Sequence, residues 1–217
     1  MKKESKFPTE QEILESLELR HTKPVQEKLG KARVAVCGLG GLGSAIAIAL
    51  ARCGVGHMHL IDFDCVDLSN VNRQQYALSQ IGMPKPEAMA EEIRRFSPYI
   101  EIRTSHVKIS PDNFKELLDD ADYICEAFDR PEEKAMLTGL VLEQMPEKYL
   151  VGASGMAGYR SGNTIQTRKI LPHYYLCGDG ISEISEGWGL MAPRVMICAA
   201  HQANTVVELI VEGTCTV

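Results

Sequence analysis

RVAVCGLGGLGSAIAIALARCGVGHMHLIDFD, Arg33 to Asp64, changes its apolar period twice within one stretch. RVAVC is a short apolar run with valines at alternate positions, the pattern of a buried strand. Glycines end that run, SAIAIALAR follows at helical period up to Gly54, and HMHLIDFD makes a second strand ending near Asp62. A strand, helix and strand of this length pair two parallel strands. Val34 to Ala51 carries no charge over about 18 residues, yet four glycines in its first half exclude a spanning helix.

The alternation continues downstream. PKPEAMAEEIRRFSP predicts a helix, with Pro86 in its first turn and Pro98 just past its end. IEIRTSHVKI, DYICEAFD and KYLVGAS predict three more strands, separated by the helices DNFKELLDDA and RPEEKAMLTGLVLEQM. The fold class is therefore α/β, a Rossmann-like, mostly parallel sheet with helices on both faces. After Gly155 the pattern changes. GYRSGNTIQTRKI predicts an antiparallel hairpin extension turning at Ser161 to Asn163, and residues 172–189 predict a long loop of binding type. APRVMICAAHQANTVVELIVEG closes as an apolar helix. Upstream, Glu10 to Leu29 predicts an N-terminal helical segment in one or two pieces, with an apolar stripe of Ile13, Leu14, Leu17 and Leu19 interrupted by Pro24.

The chain has 217 residues, enough for one substantial core, and residues 1–217 are expected to form a single domain. Its net charge of −6 weighs against a broad nucleic-acid-binding surface, although a local basic groove stays open. The seven cysteines are scattered and mostly within apolar runs, which predicts buried thiols in a reducing compartment. The charged N-terminus lacks the apolar core of a secretory signal, so a cytoplasmic protein without a membrane span is expected.

Gly38, Gly40 and Gly43 fit G-x-G-x-x-G between a strand and a helix, where backbone N–H groups and the helix dipole favour a phosphate. Asp62 ends the next strand, at a position suited to ribose hydroxyls. A tightly packed turn would use the same glycines, and the loop alone does not separate a dinucleotide from ATP. IDFDCVDLSNVNRQQY then crowds Asp64, Asn70, Arg73 and Gln74 beside it. Arg73 can donate to phosphate in bidentate fashion, or the loop is solvated with Asp67 or Ser69 capping a short helix. Lys85 begins a helix whose dipole it opposes, which points to an anionic ligand more than to helix stability. Asp129 closes the fourth strand on the same carboxyl edge, as a magnesium ligand or as the cap of the next helix. Arg73, Lys85 and Asp129 together suit displacement at phosphorus, and a hydride-transfer enzyme would leave them without a shared role.

RVAVCGLGGLGS, LIDFDCVDLSNVNRQ, GMPKPEAMAEEIRRFSP and CEAFD, in this order, resemble the ThiF/MoeB/HesA family, the prokaryotic relatives of the ubiquitin-activating enzyme. The short length and LRHTKPVQEKLGKARVAVCGLGGLGS resemble its compact ThiF-type subgroup. The resemblance implies ATP-dependent adenylation of the C-terminal glycine of a small ubiquitin-like sulfur carrier, in thiamine thiazole synthesis for that subgroup. It implies that Gly40 and Gly41 approach the phosphates, Asp62 holds the ribose, Asn70, Arg73 and Lys85 contact the triphosphate, and Asp129 binds magnesium. It further implies a homodimer in which Arg20 reaches the partner's site. Three departures stand out. The paired C-x-x-C motifs of longer members are missing, so no structural zinc is expected. The loop bearing a reactive cysteine in some members is short, with Cys177 its one thiol. Arg130 follows Asp129 where many relatives have asparagine. The same superfamily includes ATP-dependent dehydratases of a modified tRNA adenosine, an alternative, as is a nucleotide-binding scaffold without catalysis.

Overall fold

The computed structural model describes residues 7–183 and 189–217. The first six residues of the charged N-terminus and positions 184–188 of the predicted loop lie outside the described residues. Among the described residues, seven strands form one sheet in the order β3-β2-β1-β4-β5-β7-β6. They are β1 (Arg33–Cys37), β2 (His57–Asp62), β3 (Glu101–His106), β4 (Tyr123–Glu126), β5 (Tyr149–Ala153), β6 (Gln166–Leu171) and β7 (Tyr174–Gly178). Every pairing is parallel except β6 with β7. The alternation along β1 divides the core. Val34 and Val36 face one apolar cluster, Ala35 and Cys37 the other.

On the first face lie α2 (Lys23–Lys31), α3 (Gly41–Arg52), α4 (Lys85–Arg94) and α7 (Ala192–Glu212). The opposite face is covered by α5 (Phe114–Leu118) and α6 (Pro131–Gln144). α7 repeats Val195, Cys198, Ala199, Ala203, Val206 and Leu209 along one buried stripe, the spacing of a core-facing helix. The sheet's carboxyl edge thus collects the ends of β1, β2 and β4, where open parallel sheets bind ligands.

Three expectations need correction. The helix α1 (Glu10–His21) buries none of its residues, and Leu19 is 83% exposed, so Ile13, Leu14, Leu17 and Leu19 do not make a buried stripe. Its capping box, Thr9 with Glu12, holds it locally, and it ends at Thr22, whose φ of 73° breaks the helix. Pro24 does not interrupt; it sits in the first turn of α2, where a missing N–H costs nothing. The hairpin also falls further along the chain. Gly162–Thr164 is a 3-10 turn, and the strands that pair are β6 and β7, joined through Pro172 and His173. The long predicted loop therefore contains a strand, β7, because β5 offers it a parallel edge that no local pattern reveals.

Behind β7 the chain is clasped. Buried Arg194, in the first turn of α7, donates to Asp179 Oδ2 (2.6 Å), Thr164 Oγ1 and the carbonyls of Arg160 and Ser161. Burial would raise the Asp179 pKa, but hydrogen bonds from Ser182, the Ile181 and Ser182 amides and Arg194 outweigh it and hold the carboxyl below 3.8. The stabilisation is full above that value and is lost as pH falls through the lowered folded value. Arg194→Met leaves a buried carboxylate without its cation. We expect it to cost about 3–5 kcal/mol, read as a lower urea midpoint at pH 7. An unchanged midpoint would remove the clasp from the account of stability.

Candidate active site

The glycine loop is built around contacts that leave no room for side chains. Gly38 adopts φ 90°, and a Cβ there would lie 2.9 Å from the Ala127 carbonyl oxygen. At Gly43 a Cβ would lie 1.8 Å from the Gly38 oxygen, so the first turn of α3 folds directly onto the loop. Gly40 precedes α3 with no side chain capping it, which leaves the helix's first amides without a side-chain acceptor, and Gly40 and Gly41 line the cavity. Two side chains then tie the next loop to this one. Ser44 Oγ donates to the Gly40 carbonyl and accepts from the Gln75 amide, while the Tyr76 hydroxyl donates to the Leu39 carbonyl at 2.8 Å. Burial raises the Tyr76 pKa, so it stays a neutral donor.

At the end of β2, Asp62 and Asp64 divide the work. Asp62 accepts the Leu39 amide on one oxygen (2.6 Å) and the Asp64 amide on the other (2.8 Å), fastening the glycine loop to the loop after β2. Burial raises its pKa, and Lys85 opposes that shift. Asp64 is half exposed and pairs with Lys85 Nζ at 2.9 Å. Lys85 itself is only 4% exposed. Its amide donates to the Asp64 carbonyl, so backbone and side chain both fix the start of α4 against this loop.

The capping alternative for the following loop is present too. Asp67 accepts from the amide and hydroxyl of Ser69 and starts the 3-10 turn Leu68–Asn70. That turn brings Asn70, Arg73 and Gln74 to the cavity. Arg73 Nη1 donates to the Ser69 carbonyl and Asn72 Oδ1, but among the described residues its buried Nε–H has no acceptor, and the buried Gln74 Oε1 has no donor. Buried orphan donors cost about 1–3 kcal/mol, so each one needs a reason. A ligand is the simplest one here.

Asp129 lies three residues beyond β4, exposed and lining the same cavity. It does not cap α6, whose N-cap is Arg130 with no side-chain cap bond, so that alternative falls away. The turn presenting it rests on a buried pair that the sequence pattern does not announce. Glu126 accepts the Phe128 amide and Lys134 Nζ (2.9 Å), and Lys134 also donates to the Ala153 carbonyl. Gln202 of α7 donates to the carbonyls of Glu126 and Val151 from the other face.

Gly38, Gly40, Gly41, Asp62, Asp64, Asn70, Arg73, Lys85 and Asp129 thus border one cavity of about 670 Å³. Gly43 lies behind it, under the loop. Two candidates are elsewhere. Arg20 is exposed on α1 and outside the cavity lining. Cys177 is fully buried in β7, with Thr167 Oγ1 at 3.5 Å, and burial raises its thiol pKa. It sits in a strand rather than in an exposed loop, which disfavours the thiolate that reactivity requires. Among the described residues no cluster of three or more His, Cys, Asp or Glu side chains could hold a metal ion. No described helix is long and apolar enough to cross a membrane.

A sequence profile of the ThiF family matches residues 14–214. The adenylyltransferase and sulfurtransferase UBA4 of Yarrowia lipolytica is 28% identical over 195 residues, 85% of this chain and 47% of that protein. The tRNA threonylcarbamoyladenosine dehydratase of Escherichia coli is 40% identical over 108 residues, 49% of this chain and 40% of that protein. The chain spans about half the length of the curated relatives it matches. The crystal structure of the Escherichia coli dehydratase with ATP superposes with a TM-score of 0.82 at 23% identity, covering 91% of this chain and 93% of that one. The fold is shared.

Proposed function

The chain belongs to the ThiF family, and from that premise we propose that it activates a carboxylate by adenylation. The observation that carries this reading is the buried Arg73 Nε, without a partner among the described residues, on the same cavity as the glycine loop, Lys85 and Asp129. The substrate carboxylate attacks the α-phosphorus of ATP, the bond to the bridging oxygen breaks, and pyrophosphate leaves, giving an acyl-adenylate. Gly40 and Gly41 bring their amides to the phosphates, Asp62 and Asp64 bound the ribose position, and Asn70, Arg73 and Lys85 meet the charge that moves onto pyrophosphate. Asp129 has no ion pair among the described residues. A single free carboxylate suits magnesium, and Asp129 would be the residue that holds the ion. When bound, the ion neutralises phosphate charge.

The substrate we propose is the C-terminal glycine carboxylate of a small ubiquitin-like sulfur carrier, in thiazole synthesis by subgroup resemblance. The relative named for both adenylyl and sulfur transfer covers 85% of this chain, which supports the carrier. Beyond the glycine loop the cavity continues between Gly155, Met156, Ala157, Leu190 and Val195, a wall of small and apolar groups that suits a slender peptide tail. We further propose one cytoplasmic domain that works as a homodimer, with Arg20 completing the partner's site. A second reading, a tRNA-modifying dehydratase, is favoured by the 40% identity to such an enzyme over 108 residues. Passing candidate carriers and tRNA over the immobilised protein separates the two. Retention of a carrier supports the first, and retention of tRNA alone overturns it.

Lys85→Ala tests the site itself. It removes a buried cation facing developing charge, and we expect pyrophosphate exchange to slow by about 10²–10³-fold. An unchanged rate would return Lys85 to a structural ion pair with Asp64.

A further inference from the structure

The part of the cavity lined by Phe63, Val107, Ile109 and Phe128 has its own chemistry. β3 runs into Val107, Lys108 and Ile109, while β4 runs into α6 with Glu133 in its first turn. In sheet order β2 and β1 lie between them. Lys108 Nζ nevertheless meets Glu133 Oε1 at 2.8 Å, and it lies 5.4 Å from the centre of the Phe63 ring at the end of β2. This ion pair spans the carboxyl ends of two strands and roofs a slot lined by Phe63, Val107, Ile109 and Phe128. Such walls accept a flat ring.

Glu133 is only 9% exposed, yet it faces this slot. Its Oε1 takes Lys108, with Arg130 Nη1 further off at 3.9 Å, and no described residue bonds its Oε2. With Glu133 lining the cavity, that second oxygen is free to accept a hydrogen bond from a ligand. If the phosphates bind at the glycine loop and the ribose beside Asp64, as proposed above, the base would fall in this slot.

We propose that Glu133 reads the base of the bound nucleotide, its Oε2 accepting a hydrogen bond from the exocyclic amino group of adenine. This rests on the ATP reading above and adds to it a specificity-determining contact. An adenine amino group donates to the carboxylate, whereas the oxo group of hypoxanthine at the same ring position sets oxygen against oxygen. One functional group therefore decides the preference.

Calorimetric titration of the whole chain with ATP and with inosine triphosphate, in wild type and Glu133→Gln, tests this. A hydrogen bond to a charged group contributes about 1.5–3 kcal/mol, so wild type should bind ATP at least about tenfold more tightly than the inosine analogue. The glutamine amide can turn to donate to the oxo group, and the preference should shrink to within about twofold. Equal affinity of wild type for both nucleotides would overturn the proposal. So would an equal loss for both in Glu133→Gln, which marks a structural role. If wild type binds neither nucleotide, the ATP reading itself fails and the base contact fails with it.

Discussion

Asp129→Ala is expected to lower carrier-dependent exchange of pyrophosphate into ATP by about 10³-fold, with the melting temperature unchanged. The two halves of this expectation have separate grounds. The loss follows from taking away the exposed carboxylate that follows β4 on the cavity's edge, the residue proposed to hold magnesium. The unchanged stability follows because Asp129 is exposed, caps nothing, and makes no hydrogen bond or ion pair among the described residues. Full activity in this variant would remove Asp129 from the mechanism. A lower melting temperature with proportionate loss of activity would make it a structural residue.

Gly43→Ala is expected to damage both stability and nucleotide binding. Its Cβ would stand 1.8 Å from the Gly38 oxygen and 2.8 Å from the Gly38 carbonyl carbon, and both atoms belong to backbone that Gly38's own contacts with Ala127 hold in place. No flexible side chain can yield, so α3 must move away from the loop, at a cost of about 3 kcal/mol or more. That movement also withdraws the α3 amides from the phosphate position. Gly139→Ala, in mid-α6 with nothing within 4 Å of the added carbon, is the matched control. There the substitution should stabilise by about 0.5–1 kcal/mol. Urea unfolding and ATP titration of both variants check the contrast, and similar behaviour of the two would show that the close approach at Gly43 is not limiting.

The parallel part of the sheet is legible because β1, β2, β4 and β5 are largely apolar runs closed by glycine or acid, and because helices separate the strands. Residues at the carboxyl ends of such strands share one edge by topology alone, which is why the glycine loop, Asp62 and Asp129 could be placed together. β7 was not legible. YYLCG is five residues long, and its parallel partner β5 lies 25 positions earlier (Leu150 with Tyr174 differ by 24 and the strand starts, Tyr149 and Tyr174, by 25). The α1 stripe misled for a related reason, since an apolar spacing says nothing about whether a partner surface exists.

Side-chain pairing was the larger gap. The identity of Lys85 is plain in the sequence, but not that Asp64 holds it. Glu126 with Lys134, Lys108 with Glu133, and Asp179 with Arg194 join elements that meet only after the sheet assembles. A lysine or arginine in the first turn of a helix, against the dipole, was the one available signal. It holds at Lys85 and equally at Arg194.

The most direct test of adenylation is exchange of labelled pyrophosphate into ATP across a panel of ubiquitin-like carriers. The account predicts label in ATP that depends on a carrier with a free C-terminal carboxylate and is lost in Asp129→Ala. Cleavage of ATP to ADP and orthophosphate with that carrier, or exchange that requires tRNA instead, would contradict it.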